Sequence, residues 1–260
     1  MTFNKKIISR NFSKKAQDYN NFAKIQKRSA EILLTNFSKI IDLKNCNNLI
    51  IADLGCASQS IASLLNQFKI SKNNQIFNLD LSFEMLKNIP QDQKNNYLIQ
   101  GDIENLPFKN SYCDLIISSF ALHWLNDLNQ GFFEISRSLK NLGYFIFCLP
   151  IFPSLSSLKK IPFLKINDFP SKYQIIKIIN QNNFKILNHF EENFTEKYHN
   201  SLSAIKSIKQ IGANYSQPLK KNDYKHFKNI KALIKNNLQN CHQEFNLDWQ
   251  IIYFFVQKND

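Results

Sequence analysis

Arginine is nearly absent from a chain whose formal net charge is +13: it stands only at positions 10, 28 and 137, and lysine carries the rest. Bidentate phosphate recognition draws on arginine, so this charge does not point to a nucleic-acid partner; it suits an acidic protein or an anionic substrate. Lysine, asparagine, isoleucine and phenylalanine are enriched together, which spreads solvated lysine over the whole surface. Paired cysteines are missing too. Cys46, Cys56, Cys113, Cys148 and Cys241 are scattered, with no CxxC pair and no His–Cys cluster. That argues against a structural zinc and for a reducing compartment, taken as the cytoplasm. No stretch approaches about 18 apolar residues, and MTFNKKIISRNFSKK has no apolar centre, so neither a membrane span nor a signal peptide is expected. Internal repeats and long disordered linkers are not seen.

What is present is a strand–turn–helix at Leu49–Ser60, LIIADLGCASQS. An apolar, β-rich run closes on an acidic residue and a single glycine, then feeds a helix through small polar residues. Open α/β sheets build ligand sites at such strand ends. An alternating series follows. Strands are predicted at 49–54, 75–81, 97–100, 113–119 and 144–149, with helices at 59–69, from Ser82, and at 129–139. Such alternation argues a parallel sheet with right-handed crossovers. Upstream, Phe12–Leu34 has helical spacing, read as one broken helix or two; on a continuous helix Tyr19 and Gln26 would share a face. Beyond Pro150, short helices are predicted at 154–160 and 172–180, and strands at 184–198 and 249–258. Two lysine-rich helical stretches, 201–212 and 221–240, lie between those strands. The late strands suggest an antiparallel pair at one sheet edge.

Asp53, Asp80 and Asp102 each fall at or just past the end of one of the first three strands, where such sheets bind ligands. An acidic residue closing the second strand suits a ribose diol, each charge-assisted bond netting roughly 1.5–3 kcal/mol. Asp102, after Gly101, is placed to accept from an exocyclic amine. Taken singly, each is more often a helix N-cap; three at matching topological positions favour the ligand reading.

DLGCAS, LDLSFEML, GDIENLPF and CDLIISSFALHW, in this order, resemble the class I S-adenosylmethionine-dependent methyltransferases across about residues 48–150. That family's turn normally carries three glycines; here Ala57 and Gln59 replace the later two. Ala57 is a mild change if its φ stays negative, whereas Gln59 is harder to accommodate. The flanks are similar to the malonyl-[acyl-carrier protein] O-methyltransferases of biotin synthesis: Arg10, Phe12, Ala16, Tyr19, Ala23 and Gln26 match their N-terminal pattern. SLSSLK, INDFPS, SAIKSIKQIGAN and the closing aromatic strand agree with it.

The resemblance implies a Rossmann-like α/β sheet in one domain, mostly parallel with an antiparallel edge pair. The N-terminal helical cover would span 1–45, the core sheet 46–198 and 246–260, and a helical lid insertion 199–245. It implies S-adenosyl-L-methionine as methyl donor, held by Asp53, Gly55, Asp80, Leu81, Met85, Asp102, Ile103 and Ser119. Tyr19, Gln26, His123 and Lys209 would meet the substrate, a malonyl thioester on an acyl carrier protein, with no general base needed. A monomer without membrane or nucleic-acid partners is expected. Two alternatives stand beside this: SSFALHWLNDL and WQIIYFFVQK also resemble an arginine hydroxylase of complex I assembly, and the altered turn fits a fold that binds a protein partner without cofactor.

Overall fold

The computed structural model describes residues 3–41, 47–58, 61, 64–65, 73–90, 94–161, 164, 166–213 and 244–260. Seven strands form one sheet in the order β3-β2-β1-β4-β5-β7-β6. They are β1 (Ile50–Leu54), β2 (Gln75–Asp80), β3 (Asn96–Gln100), β4 (Cys113–Ser119), β5 (Leu139–Pro150), β6 (Phe184–Tyr198) and β7 (Phe245–Lys258). β1 to β5 pair in parallel. β7 runs antiparallel to both β5 and β6, which places the expected antiparallel pair at one edge.

The central strands are apolar without interruption because both their faces are covered. Ala52, Ile116, Phe145, Phe147, Ile252 and Phe254 point to one side. There they meet Phe132 and Ile135 of α5 (Leu128–Ser138) and Ile175 and Ile179 of α7 (Lys172–Gln181). Ile51, Leu115, Ile117, Ile146, Tyr253 and Phe255 point to the other, against Leu33, Leu34 and Phe37 of α3 (Lys24–Ile40) and Leu158 of α6 (Ser156–Lys159). α3 is therefore a full layer of the sandwich, while α1 (Lys5–Ser13) and α2 (Tyr19–Phe22) lie nearer the site.

Several boundaries differ from expectation, each for a local reason. α1 begins seven residues before Phe12 because Asn4 caps it, its side chain accepting from the backbone N–H of Lys6 and Ile7. The helix of Tyr19 breaks at Ala23 (φ −79°, ψ 48°), so Tyr19 and Gln26 do not share one continuous helix. β5 starts at Leu139, with a register shift between Cys113 and Leu115 and Leu142 at φ 59°, features that read in sequence as a turn. β7 starts at Phe245 because the long β6 continues to pair with it as far as Tyr198. α4 (Phe83–Leu86) is capped by Ser82, whose hydroxyl accepts from the Met85 N–H, as expected. Of the helix at 59–69 only Ile61, Leu64 and Leu65 are described, all helical. Of the lid stretch, α8 (Ser201–Gln210) is described; the stretch 221–240 and Gln59, Cys46 and Cys241 lie outside the described residues.

Candidate active site

The site begins where β1 runs out. Gly55 turns the chain at φ 72°, and a Cβ on it would lie 2.2 Å from the Ala121 Cβ, so the position excludes any side chain. Ala57 follows at φ 50°, a left-handed conformation that costs an L-residue on the order of 1 kcal/mol. The premise of a negative φ at Ala57 is thus overturned. Two contacts hold it there: its N–H donates to Asp80 Oδ2 at 2.9 Å, and its methyl packs beside Tyr19, Met85 and Ile211.

Asp80, closing β2, accepts from Ala57 with one oxygen and from the Ser82 N–H with the other, at 2.8 Å. It ties the first turn to the start of α4. Burial pushes its carboxyl up to about 6, against the pull of those two N–H donors. Asp53, 2% exposed, accepts from the Ile61 N–H at 3.0 Å and so serves as a helix cap. Burial, with Asp80 nearby, pushes it up to about 7. Both carboxylates lack any cationic partner among the described residues.

Asp102 is different. Its Oδ1 accepts from Lys5 Nζ at 2.8 Å and from the Glu104 N–H at 3.0 Å, and Lys5 also pairs with Glu104. Lys5, Ser9 and Ser13 stand on one face of α1. Ser9 Oγ donates to the Leu81 carbonyl at 3.0 Å, and Ser13 Oγ lies 2.8 Å from Ser82 Oγ. Three side chains of α1 thereby fasten it across the ends of β2 and β3. The loop after β3 is anchored from behind: Arg137 of α5 pairs with Glu134 at 2.7 Å and donates to the Phe108 and Leu106 carbonyls.

Between α1 and the strand ends lies a crevice of roughly 640 Å³, its open mouth included. Gly55, Asp80, Leu81, Asp102, Ile103 and Ser119 all line it, whereas Met85 is fully buried behind it and Asp53 faces an adjoining space. Ile8, Phe12, Leu79 and Trp124 make its walls apolar, with Phe12 set edge-on to Trp124 at 5.6 Å. Phe120, held at φ 58°, lines its far side. The sequence reading missed Lys5, Ser9, Phe120 and Trp124; the repeat of Lys5, Ser9 and Ser13 at helical spacing was the available signal.

The adjoining space, about 340 Å³, is lined by Tyr19, Gln26, Asp53, Cys56, Ala57 and Ser119, so Tyr19 and Gln26 do come together despite the break between their helices. Burial and the Asp80 charge raise the Tyr19 phenol, which keeps its proton. His123 is outside both spaces. It packs among Phe120, Trp124 and Phe169, its Nδ1 is buried without a hydrogen-bond partner, and burial pushes it down to about 3, so the ring is neutral. Lys209 is exposed near the end of α8, two residues before Ile211, which packs against Tyr19.

Carboxylates at three strand ends, apolar walls and buried uncompensated negative charge together suit a ligand with an aromatic face, vicinal hydroxyls and a cationic group. The donors present fit S-adenosylmethionine. Among the described residues no cluster of His, Cys, Asp and Glu suits a metal ion, and no helix is long and apolar enough to cross a membrane.

Comparisons with known proteins agree. A family model described as "Methyltransferase domain" matches residues 52–147. The malonyl-[acyl-carrier protein] O-methyltransferase of Buchnera aphidicola is 30% identical over 217 residues, covering 81% of this chain and 82% of that protein. The human mitochondrial arginine-hydroxylase NDUFAF5 is 39% identical, but over 94 residues, 36% of this chain and 26% of that protein. Among solved structures, YcgJ of Bacillus subtilis superposes with a TM-score of 0.57 at 16% identity, covering 87% of this chain and 99% of that one.

Proposed function

Because this chain belongs to the malonyl-[acyl-carrier protein] O-methyltransferases, a group of S-adenosylmethionine-dependent class I enzymes, we propose that it methylates the free carboxylate of a malonyl thioester borne on a carrier protein. The product is the methyl ester, which would initiate pimeloyl synthesis for biotin. The observation that carries this reading is the crevice under α1, where Asp80, Asp102 and Gly55 meet at the strand ends.

When bound, S-adenosylmethionine supplies a methyl group made electrophilic by the sulfonium. Asp80, ionised above about pH 6, would accept from the ribose hydroxyls, and Asp102, positioned through Oδ1 by Lys5, would receive the adenine amine on Oδ2. Asp53 and Asp80 together favour a cation in this part of the site. The acceptor needs no base, since a malonyl carboxyl, with a pKa near 4, is already ionised at neutral pH. What the chain supplies is alignment and dryness. Tyr19 and Gln26, neutral donors, would orient the acceptor without forming an ion pair that lowers its nucleophilicity. Neutral His123 would support the apolar wall beside Phe120 and Trp124. Lys209, exposed near the end of α8, would draw the acceptor in at the entrance without holding its carboxylate in an ion pair.

Purified protein incubated with S-adenosylmethionine and malonyl-carrier protein should yield a carrier 14 Da heavier, lost on esterase treatment. A mass unchanged under conditions where S-adenosylhomocysteine binds would overturn the acceptor assignment. Lys209→Ala should lower kcat/KM on a malonyl thioester about tenfold; an unchanged value removes Lys209 from the site.

A further inference from the structure

A third space lies on the side of the molecule facing α8. It is lined by Phe22, Gln26, Tyr198, Ser207, Ile208 and Trp249, with Glu196 on one wall, and measures about 270 Å³ with its open mouth included. Gln26 is shared between this groove and the cavity of Tyr19 and Asp53, and Tyr19 is shared between that cavity and the cofactor crevice. The three spaces therefore adjoin in series. Exposure falls along them: Phe22 is 41% exposed at the outer end, Gln26 is half-buried, and Tyr19 is buried. Trp249 closes the groove's floor and stands 5.9 Å from Phe120 on the crevice wall.

The groove's rim carries positive charge. Arg28 of α3 lies over the Phe194 ring at 4.9 Å, and Phe194 is the partner of Trp249 across β6 and β7. Lys206 and Lys209, both exposed, flank Ser207 and Ile208 on α8. None of these three cations pairs with a carboxylate among the described residues. Inside, the chemistry changes to mostly neutral donors and acceptors, and Glu196, the one carboxylate on the wall among the described residues, accepts from the Trp249 indole N–H at 3.2 Å.

We propose that this face, between α3 and α8, is where the acidic carrier protein docks, and that the groove admits its amide-bearing thioester arm towards Tyr19. The inference rests on the acceptor reading above and adds the side from which the acceptor arrives. Exposed, unpaired cations around a narrow opening attract an anionic surface without committing it to a buried ion pair. A slender arm carrying two amides finds Gln26, Ser207 and Tyr198 to bond and Trp249 to lie along. The cofactor crevice beneath α1, by contrast, shares none of the groove's lining residues, so donor and acceptor need not compete for one entrance.

The test compares malonyl-carrier protein with malonyl-N-acetylcysteamine, a small thioester without a protein surface, using wild type, the double variant Arg28→Glu/Lys206→Glu, and Ser207→Trp. The double variant should raise KM for malonyl-carrier protein at least tenfold at low salt and flatten its salt dependence. It should leave the small thioester within twofold and S-adenosylhomocysteine affinity unchanged. Ser207→Trp should raise KM for the carrier substrate at unchanged S-adenosylhomocysteine affinity. Equal KM values for wild type and both variants on malonyl-carrier protein would overturn the docking face. A wild type inactive on both thioesters would instead overturn the reading on which it rests.

Discussion

The two ends of the site are built on different terms. Around the donor, positions are imposed by the backbone: Gly55 and Ala57 sit at positive φ, and Asp80 grips two N–H groups in two loops. On the acceptor side, the groove is walled by side chains from α2, α3, α8, β6 and β7, contributed by segments far apart in the chain. Geometry fixed by main chain tolerates little substitution; a wall of separate side chains can be retuned one residue at a time. The contrast predicts severe, structural losses at the donor end and graded, substrate-dependent ones at the other.

Four changes sharpen or break that contrast, the largest first. Gly55→Ala places a methyl on Ala121 and should cost about 3 kcal/mol of folding stability by denaturant titration. Adding Ala121→Gly should restore the steric part and leave roughly 1 kcal/mol of backbone strain. No restoration would show that φ at this turn, and not the contact, dominates.

The next is a pH effect. Asp53 and Asp80 titrate near 7 and 6 when folded but near 4 when unfolded, so between those values the folded chain holds protons that the unfolded chain has lost. Stability without ligand should rise as pH falls from 8 through 7 and 6, and level off near 4. Cofactor affinity should move the opposite way, weakening as the carboxylates are neutralised. Asp53→Asn keeps the acceptor for the Ile61 N–H, and should flatten the upper part of the thermal-stability profile. A wild-type profile flat from pH 8 to 5 would contradict the burial argument.

Lys5→Met removes a half-exposed ion pair, and should weaken S-adenosylhomocysteine binding about fivefold by calorimetry while leaving KM for the acceptor alone. Smallest of all, Ala57→Gly should relieve the left-handed strain for a net gain of about 0.5 kcal/mol, because the lost methyl packing and the freer unfolded chain offset most of it.

The same contrast explains what was legible in the sequence. Strands such as CDLIISS and the closing aromatic run announce themselves, since a sheet covered on both faces demands uninterrupted apolar residues. The three aspartates were legible because strand ends place them. Lys5 and Ser9 were not: they are polar residues on an unremarked helix, and their meaning lies in partners 72 to 99 positions away. Nor could residue identity alone show that Ala57 is left-handed, since that follows from Asp80 drawing its N–H inward. Tyr19 and Gln26 meet across a break at Ala23 that periodicity smoothed over.

The row of Lys5, Ser9 and Ser13 has a mechanical corollary. Fastenings on one rigid rod act as a set, so cutting any one of them should loosen the grip of the whole N-terminal helix on the strand ends, and the cost of a single substitution there should be read at all three contacts.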